Sequence, residues 1–563
     1  MRTYDVIVIG GGIAGGLPCA AYLQKAGLDV LVLEANTEVA AFSATHETWP
    51  ETLDSPHAAI NFCANSPAIE DLDLEGFGFR YRASPVALAT THTDGTNCLL
   101  CYDHERTWQN FALHSKRDAD TMVGIQRRVD ETLEEMNRLA FFSPHPDADK
   151  FERVLDLCSY AMGLPLDELW TMTGPEVIEE LFEADRVRQT IVSPLALHEH
   201  GAPLARGQGA FGVALSLYYT TGLGLGGNEA MVNAVVRCFL SYGGTLLTSC
   251  AVQSIEVENG RATAVVLGDD AAFPGERIRA RHAVVSNVGA RETLRLVGEP
   301  VMRSVDSRLA SKMKHWKMDM RGSTVTSWLL KGDMPWGSVD FDPLIRQALL
   351  VYRAFDSWDG AKQYLVDMLN NETWRSFGQV IEILNYGAVD ESAVSPEGYR
   401  VIRGEEVLPY PLRGLGGAEG WDGPIRDELL ERRHHTMNSI APGFMEQMMD
   451  AYQWTPIDIW RLNRAAIFGQ VLGGDFSEDQ WILDRMPYRM PVDKLFMSNA
   501  VWPAGLSWMA SGYNAASVVA EDLGVRGQAW WVAKPTTSFT ENFARLVAPV
   551  TEEVAAATRN RAT

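Results

Sequence analysis

The sequence predicts an α/β protein that opens on a βαβ unit and mixes strand and helix beyond it. Three observations predict it. The chain opens on a β-branched run, Tyr4 to Ile9, followed by glycines, a small-residue helical pattern and a second strand, "DVLVLEA". A middle block, "GGNEAMVNAVVRCFLSYGGTLLTSCAVQSIEVENGRATAV", reads as glycine turn, helix and strand, then a hairpin turning at Asn259-Gly260. Near the end a strand, "KLFMSNA", leads into a glycine-bearing turn and a helix stopped by Gly524. At 563 residues the chain exceeds the size of one hydrophobic core, so two or three domains are expected.

The opening unit is the most informative. Gly10, Gly12 and Gly15 occupy the GxGxxG places between strand and helix, where the backbone must turn tightly and approach a pyrophosphate at the helix N-terminus. Glu34 ends the second strand, positioned to accept hydrogen bonds from ribose hydroxyls. It falls about one position later than this fingerprint usually places its acid. Pro18 also sits early in the helix. A bulge or late helix start near Gly16 to Cys19 is therefore expected, absorbing the extra residue.

The following elements read more coarsely. Glu47 to Thr93 is polar and turn-rich; Asp118 to Ala184 carries apolar residues at helical spacing. "HAVVSNVG" (His282 to Gly289) is a short buried strand ending at polar residues. Residues from about 303 to 480 mix strand and helix, with tryptophans at 316, 328, 336, 358 and 374. The last stretch, from Val525, carries the pair Trp530-Trp531, which either docks on a membrane or second subunit or packs back on its own domain.

Composition excludes several classes. A net charge of −24 leaves no basic stripe for nucleic acid. No apolar run reaches the roughly 18 residues of a membrane span, and the first strand begins too early for a leader. The seven cysteines are scattered, which suits a reducing compartment, and Cys98-Leu-Leu-Cys101 lacks a second pair and reads as strand packing. A cytoplasmic protein, peripheral at most on a membrane, is expected. His198-Glu199-His200 and His434-His435 have no further ligands at metal spacing, so no metal is expected. There is no Ser/His/Asp order, HExxH or P-loop.

Taken together, "DVIVIGGGIAG…VLVLEA", the middle block, "HAVVSNVGARETLRLVG", "APGFMEQMMDAYQWTPIDIW" and "PVDKLFMSNAVWPAGLSWMASGYNAASVVAEDL" resemble the phytoene desaturase-like flavoproteins over residues 4 to 524. These include carotenoid desaturases, ketolases and isomerases, and retinol saturases. The resemblance implies an amine-oxidase- and phytoene-desaturase-like architecture, with a discontinuous Rossmann-like FAD domain from residues 1–75, 225–300 and 485–524. The mixed-sheet and helical substrate domain would be 76–224 and 301–484, and 525–563 an extension. It implies that Gly10, Gly12, Ile13, Ala14, Gly15, Glu34 and Ala35 hold the ADP half of FAD. Val252 would meet the adenine through its backbone. Asn499, Met509, Gly512, Tyr513 and Asn514 would lie beside the isoalloxazine.

The chain also departs from that pattern. Where the family has Gly-Gly after the second strand, it reads Val39-Ala40-Ala41-Phe42-Ser43; Ser498-Asn499 stands where the family has a glycine, and "HPGGG" becomes Trp502-Pro503-Ala504-Gly505-Leu506. Trp502, Trp508 and Met509 flank glycines and are expected to line the substrate pocket, with Trp454 as a further candidate. His46 and His57 follow the acid-bearing strand and are candidates for sitting near the flavin. His57 and Tyr513 are the only candidates for a catalytic group, and no general base is assigned.

The implied reaction is hydride removal by FAD from a C–H bond of a carotenoid-, terpenoid- or alicyclic-type substrate, the final electron acceptor being oxygen, a quinone or another compound. Two alternatives are a redox-neutral, FAD-dependent isomerase and a flavin-free protein that escorts prenylated partners. A homo-oligomer is a further possibility.

Overall fold

The computed structural model describes residues 2–559 apart from 56–64, 198–201, 219, 371–376, 380, 412–416, 471, 506–508 and 532–545. Within these residues, two seven-stranded sheets carry the architecture. The first is ordered β7 (Thr245–Leu247), β2 (Val30–Leu33), β1 (Thr3–Ile9), β10 (Arg277–Ser286), β9 (Arg261–Leu267), β8 (Val252–Glu258), with β16 (Leu495–Met497) also on β10. β7, β2, β1, β10 and β16 run parallel, in register Val6–Val30, Ile7–Val284 and Ser286–Met497. Their β-branched and leucine runs are buried on both faces, as a parallel sheet between helices requires.

β10 is longer than the strand read from sequence. Its first residues, Arg277–Arg279, pair antiparallel with β9, and its last, Val284–Ser286, pair with β16. Only the second half is uniformly apolar, which is why the charged first half escaped notice. The hairpin turns where expected, with Asn259 and Gly260 both left-handed.

Helix α1 (Gly16–Lys25) is buried from Gly16 to Gln24, because it lies between the sheet and two further helices, Glu229–Ser241 and Ala510–Asp522. Its small residues permit that close approach. The helix starts late, as Pro18 led us to expect: the Leu17 N–H donates to the Gly12 carbonyl five residues back, at 3.1 Å. That wide turn takes up the extra residue before Glu34, and Pro18 sits in the first turn, where a missing N–H costs little.

The second sheet is ordered β15 (Met448–Trp454), β11 (Arg321–Lys331), β14 (Tyr399–Pro409), β13 (Glu382–Asn385), β12 (Leu350–Arg353), β4 (Val86–Thr91), β5 (Asn97–Cys101). Only β12 and β4 are parallel within it. A two-stranded ribbon joins β3 (Tyr81–Arg82) to β6 (Leu223–Gly224). β4 falls inside the stretch read as turn-rich, since "VALATT" is nearly all buried and shows no alternation. Cys98 and Cys101 lie buried on β5, and burial pushes the Cys98 thiol up to about 12, so neither is poised for redox chemistry.

A helical layer completes this half. Helix Lys116–Met136, N-capped by Ser115, widens into a π turn at Asn137–Phe141. On the opposite face of the sheet, helix Pro424–Ile440 covers Trp328, which meets Phe444 edge-on at 5.6 Å.

The C-terminal stretch packs back on its own chain. Trp531 lies 4.9 Å from the Tyr22 ring of α1, Arg526 sits 4.2 Å over Trp531, and Lys25 is 4.6 Å over Trp530. Farther on, Ala83 exchanges backbone bonds with Leu546 and Ala548, and helix Glu552–Arg559 lies against Pro343–Gln347. Among the described residues no helix is long and apolar enough to cross a membrane.

Candidate functional site

The carboxyl ends of the parallel strands converge on one crevice, the usual ligand position in such a sheet. Gly10 follows β1, Glu34 follows β2, Asn287 follows β10 and Ser498 follows β16. Gly10 takes φ +93°, a conformation side chains rarely adopt. A Cβ on Gly15 would lie 2.2 Å from Asn287 Oδ1 and 2.3 Å from the Ser498 carbonyl; one on Gly12 would lie 2.7 Å from Asn287 Nδ2. The glycine loop therefore passes directly against the ends of β10 and β16.

Glu34 organises this loop. Its carboxylate accepts the N–H of Gly11 at 2.8 Å and that of Asn36 at 2.9 Å. The Cys250 N–H donates to the Glu34 carbonyl, bringing the start of β8, and so Val252, to the same edge. Ile13 is buried and Ala35 exposed. α1 has no side-chain cap, which leaves its first N–H groups for an anion. A glycine cradle, an uncapped helix and an acid at the second strand are the donor and acceptor set that an adenine dinucleotide needs. Asn287 was not foreseen; the polar end of "HAVVSNVG" was its only signal.

In and around the stretches that depart from the family's glycines, several residues take the left-handed backbone that favours glycine. Ala40, Ala500, Ala504 and Met509 all have positive φ, at 52°, 58°, 59° and 67°. The chain thus takes a glycine-like path at four residues that are not glycine.

The segment from Asn499 to Asn514 packs on the cradle. The Gly512 N–H donates to the Ala14 carbonyl at 3.0 Å, and a Cβ there would come within 2.5 Å of the Gly15 carbonyl. Met509 is fully buried and begins helix Ala510–Asp522 without a side-chain cap. Asn514 Nδ2 donates to the Phe141 carbonyl at 2.9 Å, while its buried Oδ1 makes no hydrogen bond among the described residues. Asn499 Oδ1 is likewise buried and without a hydrogen bond.

Tyr513 points elsewhere. Its ring stands edge-on to Tyr22 and Phe142, its hydroxyl accepts from Arg526 at 3.1 Å, and burial raises its pKa. Helical periodicity turns it toward α1 and the C-terminal stretch. Trp502 is 6% exposed, stacked on Phe141 and edge-on to Phe476, with its indole N–H donated to the Ala140 carbonyl. It lines a small cavity, ≈10 Å³, with Leu139, Asp147, Lys150, Phe151 and Phe211. Trp454 belongs to a different cluster, edge-on to Tyr452 on β15. His57, Trp508 and His198 to His200 lie outside the described residues.

The second sheet turns a polar face toward residues 44–55. Tyr452, Ser327 and Arg403 are cross-strand neighbours on β15, β11 and β14. Asp54 accepts from Ser327 Oγ at 3.0 Å and the Tyr452 hydroxyl at 2.5 Å, and Arg403 Nε donates to the Ser55 carbonyl at 2.9 Å. Burial raises the Asp54 pKa, against the pull of these partners. Pairing of His46 with Asp54 through their backbones fixes the segment. Sequence reasoning missed this set, since one acid and one tyrosine 398 positions apart carry no common motif.

The chain is 22% identical over 552 residues to a limonene dehydrogenase component of Castellaniella defragrans, covering 94% of this chain and 96% of that protein. It is 23% identical over 570 residues to the mouse (Mus musculus) pyridine nucleotide-disulfide oxidoreductase domain-containing protein 2, covering 92% and 94% respectively. Its fold matches cyclohexylamine oxidase from Brevibacterium oxydans at a TM-score of 0.53 and 15% identity, over 92% of this chain and 99% of that one. Residues 5–315 match the FAD dependent oxidoreductase family. FAD is therefore the cofactor that the cradle is built for, and the flavin-free escort reading is set aside. The chain belongs to the FAD-dependent oxidoreductase family.

Proposed function

We propose that this oxidoreductase is a dehydrogenase of a hydrophobic substrate, of terpenoid, alicyclic or carotenoid type, within the phytoene desaturase-like branch of its family. The observation that carries the reading is the buried pair Trp502 and Met509, on the segment that packs against the glycine cradle. The similarity to a protein named for limonene dehydrogenation supports it. FAD, when bound, supplies a two-electron acceptor for a hydride leaving a C–H bond.

In this reading the chain's own residues bind, orient and exclude water. Gly10, Gly12, Ile13, Ala14, Gly15, Glu34 and Ala35 hold the ADP half, and Val252 the adenine. Asn499, Met509, Gly512 and Asn514 line the ring. Trp502, Trp508, Met509 and Trp454 shape the space for substrate, so that a C–H bond is held in place rather than activated by a nucleophile.

Anaerobic mixing of the FAD-loaded enzyme with limonene and with a carotenoid tests the reading. Bleaching of the flavin's visible absorbance by one of them is the expected result. Product formed by oxidised enzyme without bleaching would favour the redox-neutral isomerase instead. A cytoplasmic location, self-association and a peripheral membrane contact are part of the same proposal. Light scattering and liposome flotation test the last two.

A further inference from the structure

Where residues 44–55 meet the second sheet there is a small cavity. Its walls include Thr45, Leu53, Asp54, Ser55, Leu223 and Tyr386, and its volume, ≈10 Å³, suits about one oxygen-sized group. Tyr386 and Asp54 are two of the polar residues that line it. Tyr386 is 4% exposed, and its phenol makes no hydrogen bond among the described residues, a costly state for a buried donor. Asp54 is 1% exposed and accepts from Ser327, Tyr452 and the Ser55 N–H. That fills three of about four acceptor positions on a carboxylate. A donor without an acceptor stands beside an acceptor with one place left. The group that satisfies both is a hydroxyl; a carbonyl or ether oxygen would satisfy Tyr386 alone.

We propose that this cavity is a subsite for a hydroxyl oxygen of the substrate, which accepts from the Tyr386 phenol and donates to the Asp54 carboxylate. The inference rests on the hydrophobic-substrate reading and narrows it to hydroxylated alicyclic or terpenoid compounds. Leu53 and Leu223 supply the apolar surroundings such a compound needs. Tyr386 and Asp54 are positioning residues: they fix where the carbon skeleton lies without taking part in bond breaking. A bound water offers the same hydroxyl chemistry, and the comparison of ligands separates the two sources.

Limonene and carveol differ by one ring hydroxyl. Each is equilibrated anaerobically, in excess, with the FAD-loaded enzyme, and binding is read by equilibrium dialysis. Carveol is expected to bind about tenfold more tightly, a difference of about 1.4 kcal/mol. Tyr386→Phe and Asp54→Asn should each bring the two ligands within about twofold, with FAD content unchanged. Tyr386→Phe breaks no hydrogen bond among the described residues, so its Tm should equal or exceed that of the parent. This separates positioning from support of the fold, and it decides the matter alone if Asp54→Asn does not fold. Equal affinities in the parent enzyme, or a preference that survives Tyr386→Phe, overturn the subsite and leave its oxygen to water. If neither ligand binds, the hydrophobic-substrate reading falls, and the subsite with it.

Discussion

Ala40 holds a left-handed backbone, φ 52° and ψ 43°, at the bend that follows the acid-bearing strand. An L side chain there costs about 1–2 kcal/mol, and glycine returns part of that gain as chain entropy. Ala40→Gly should therefore stabilise the protein by about 0.5–1 kcal/mol, read from urea unfolding; a fall in stability would show that the bend is not strained. At this scale the sequence was legible wherever a residue type has one physical use. Gly10, Gly15, Asn259 and Glu34 each announced a turn, a close approach or a ligand. Asn287, Asp54 and Tyr386 did not, because an asparagine, an aspartate or a tyrosine has many uses and only the fold selects one.

Among elements, the π turn at Asn137–Phe141 ties the helical layer to the cofactor segment. Its Ala140 and Phe141 carbonyls receive Trp502 and Asn514. Trp502→Phe keeps a ring against Phe141 but strands a buried carbonyl, and should destabilise by about 1–3 kcal/mol in chemical denaturation. An unchanged midpoint would mean that water replaces the indole. Trp531 is wedged between Tyr22 and Arg526. Trp531→Ala should cost about 3 kcal/mol, seen as a lower Tm, without altering liposome flotation. Reduced flotation at constant Tm would instead place the tryptophan at a membrane. Strands and helices with strong periodicity or buried β-branched runs were readable. β4 and the charged half of β10 were not, since their pattern reflects sheet partners distant in sequence.

Across the molecule, the two sheets meet water and each other on different terms. Beneath helix Pro424–Ile440 lies a buried pair, Glu406 and Arg433, 3.6 Å apart, with Tyr364 and the Gly378 N–H also on the carboxylate. Burial pushes Glu406 up to about 7 and Arg433 down to about 10, so desolvation outweighs their attraction. Folded Glu406 holds its proton more tightly than the unfolded chain does. Its contribution to stability is therefore complete below the ordinary glutamate range and lost as pH rises through about 7. The Tm of the parent should fall relative to that of Glu406→Gln between about pH 5 and 8. Parallel profiles would show that the group does not titrate there. The division into a parallel, glycine-bearing sheet and a mixed one followed from the order of motifs along the chain. The polar face of the second sheet did not, because it assembles residues from four separate stretches.

The left-handed alanines also say something about descent. Glycine and alanine codons differ by a single base, so Ala40, Ala500 and Ala504 each lie one nucleotide from a relaxed backbone. Met509 lies farther from any glycine codon. Random mutagenesis under selection for heat resistance should thus recover glycine at the three alanines well before it does so at 509.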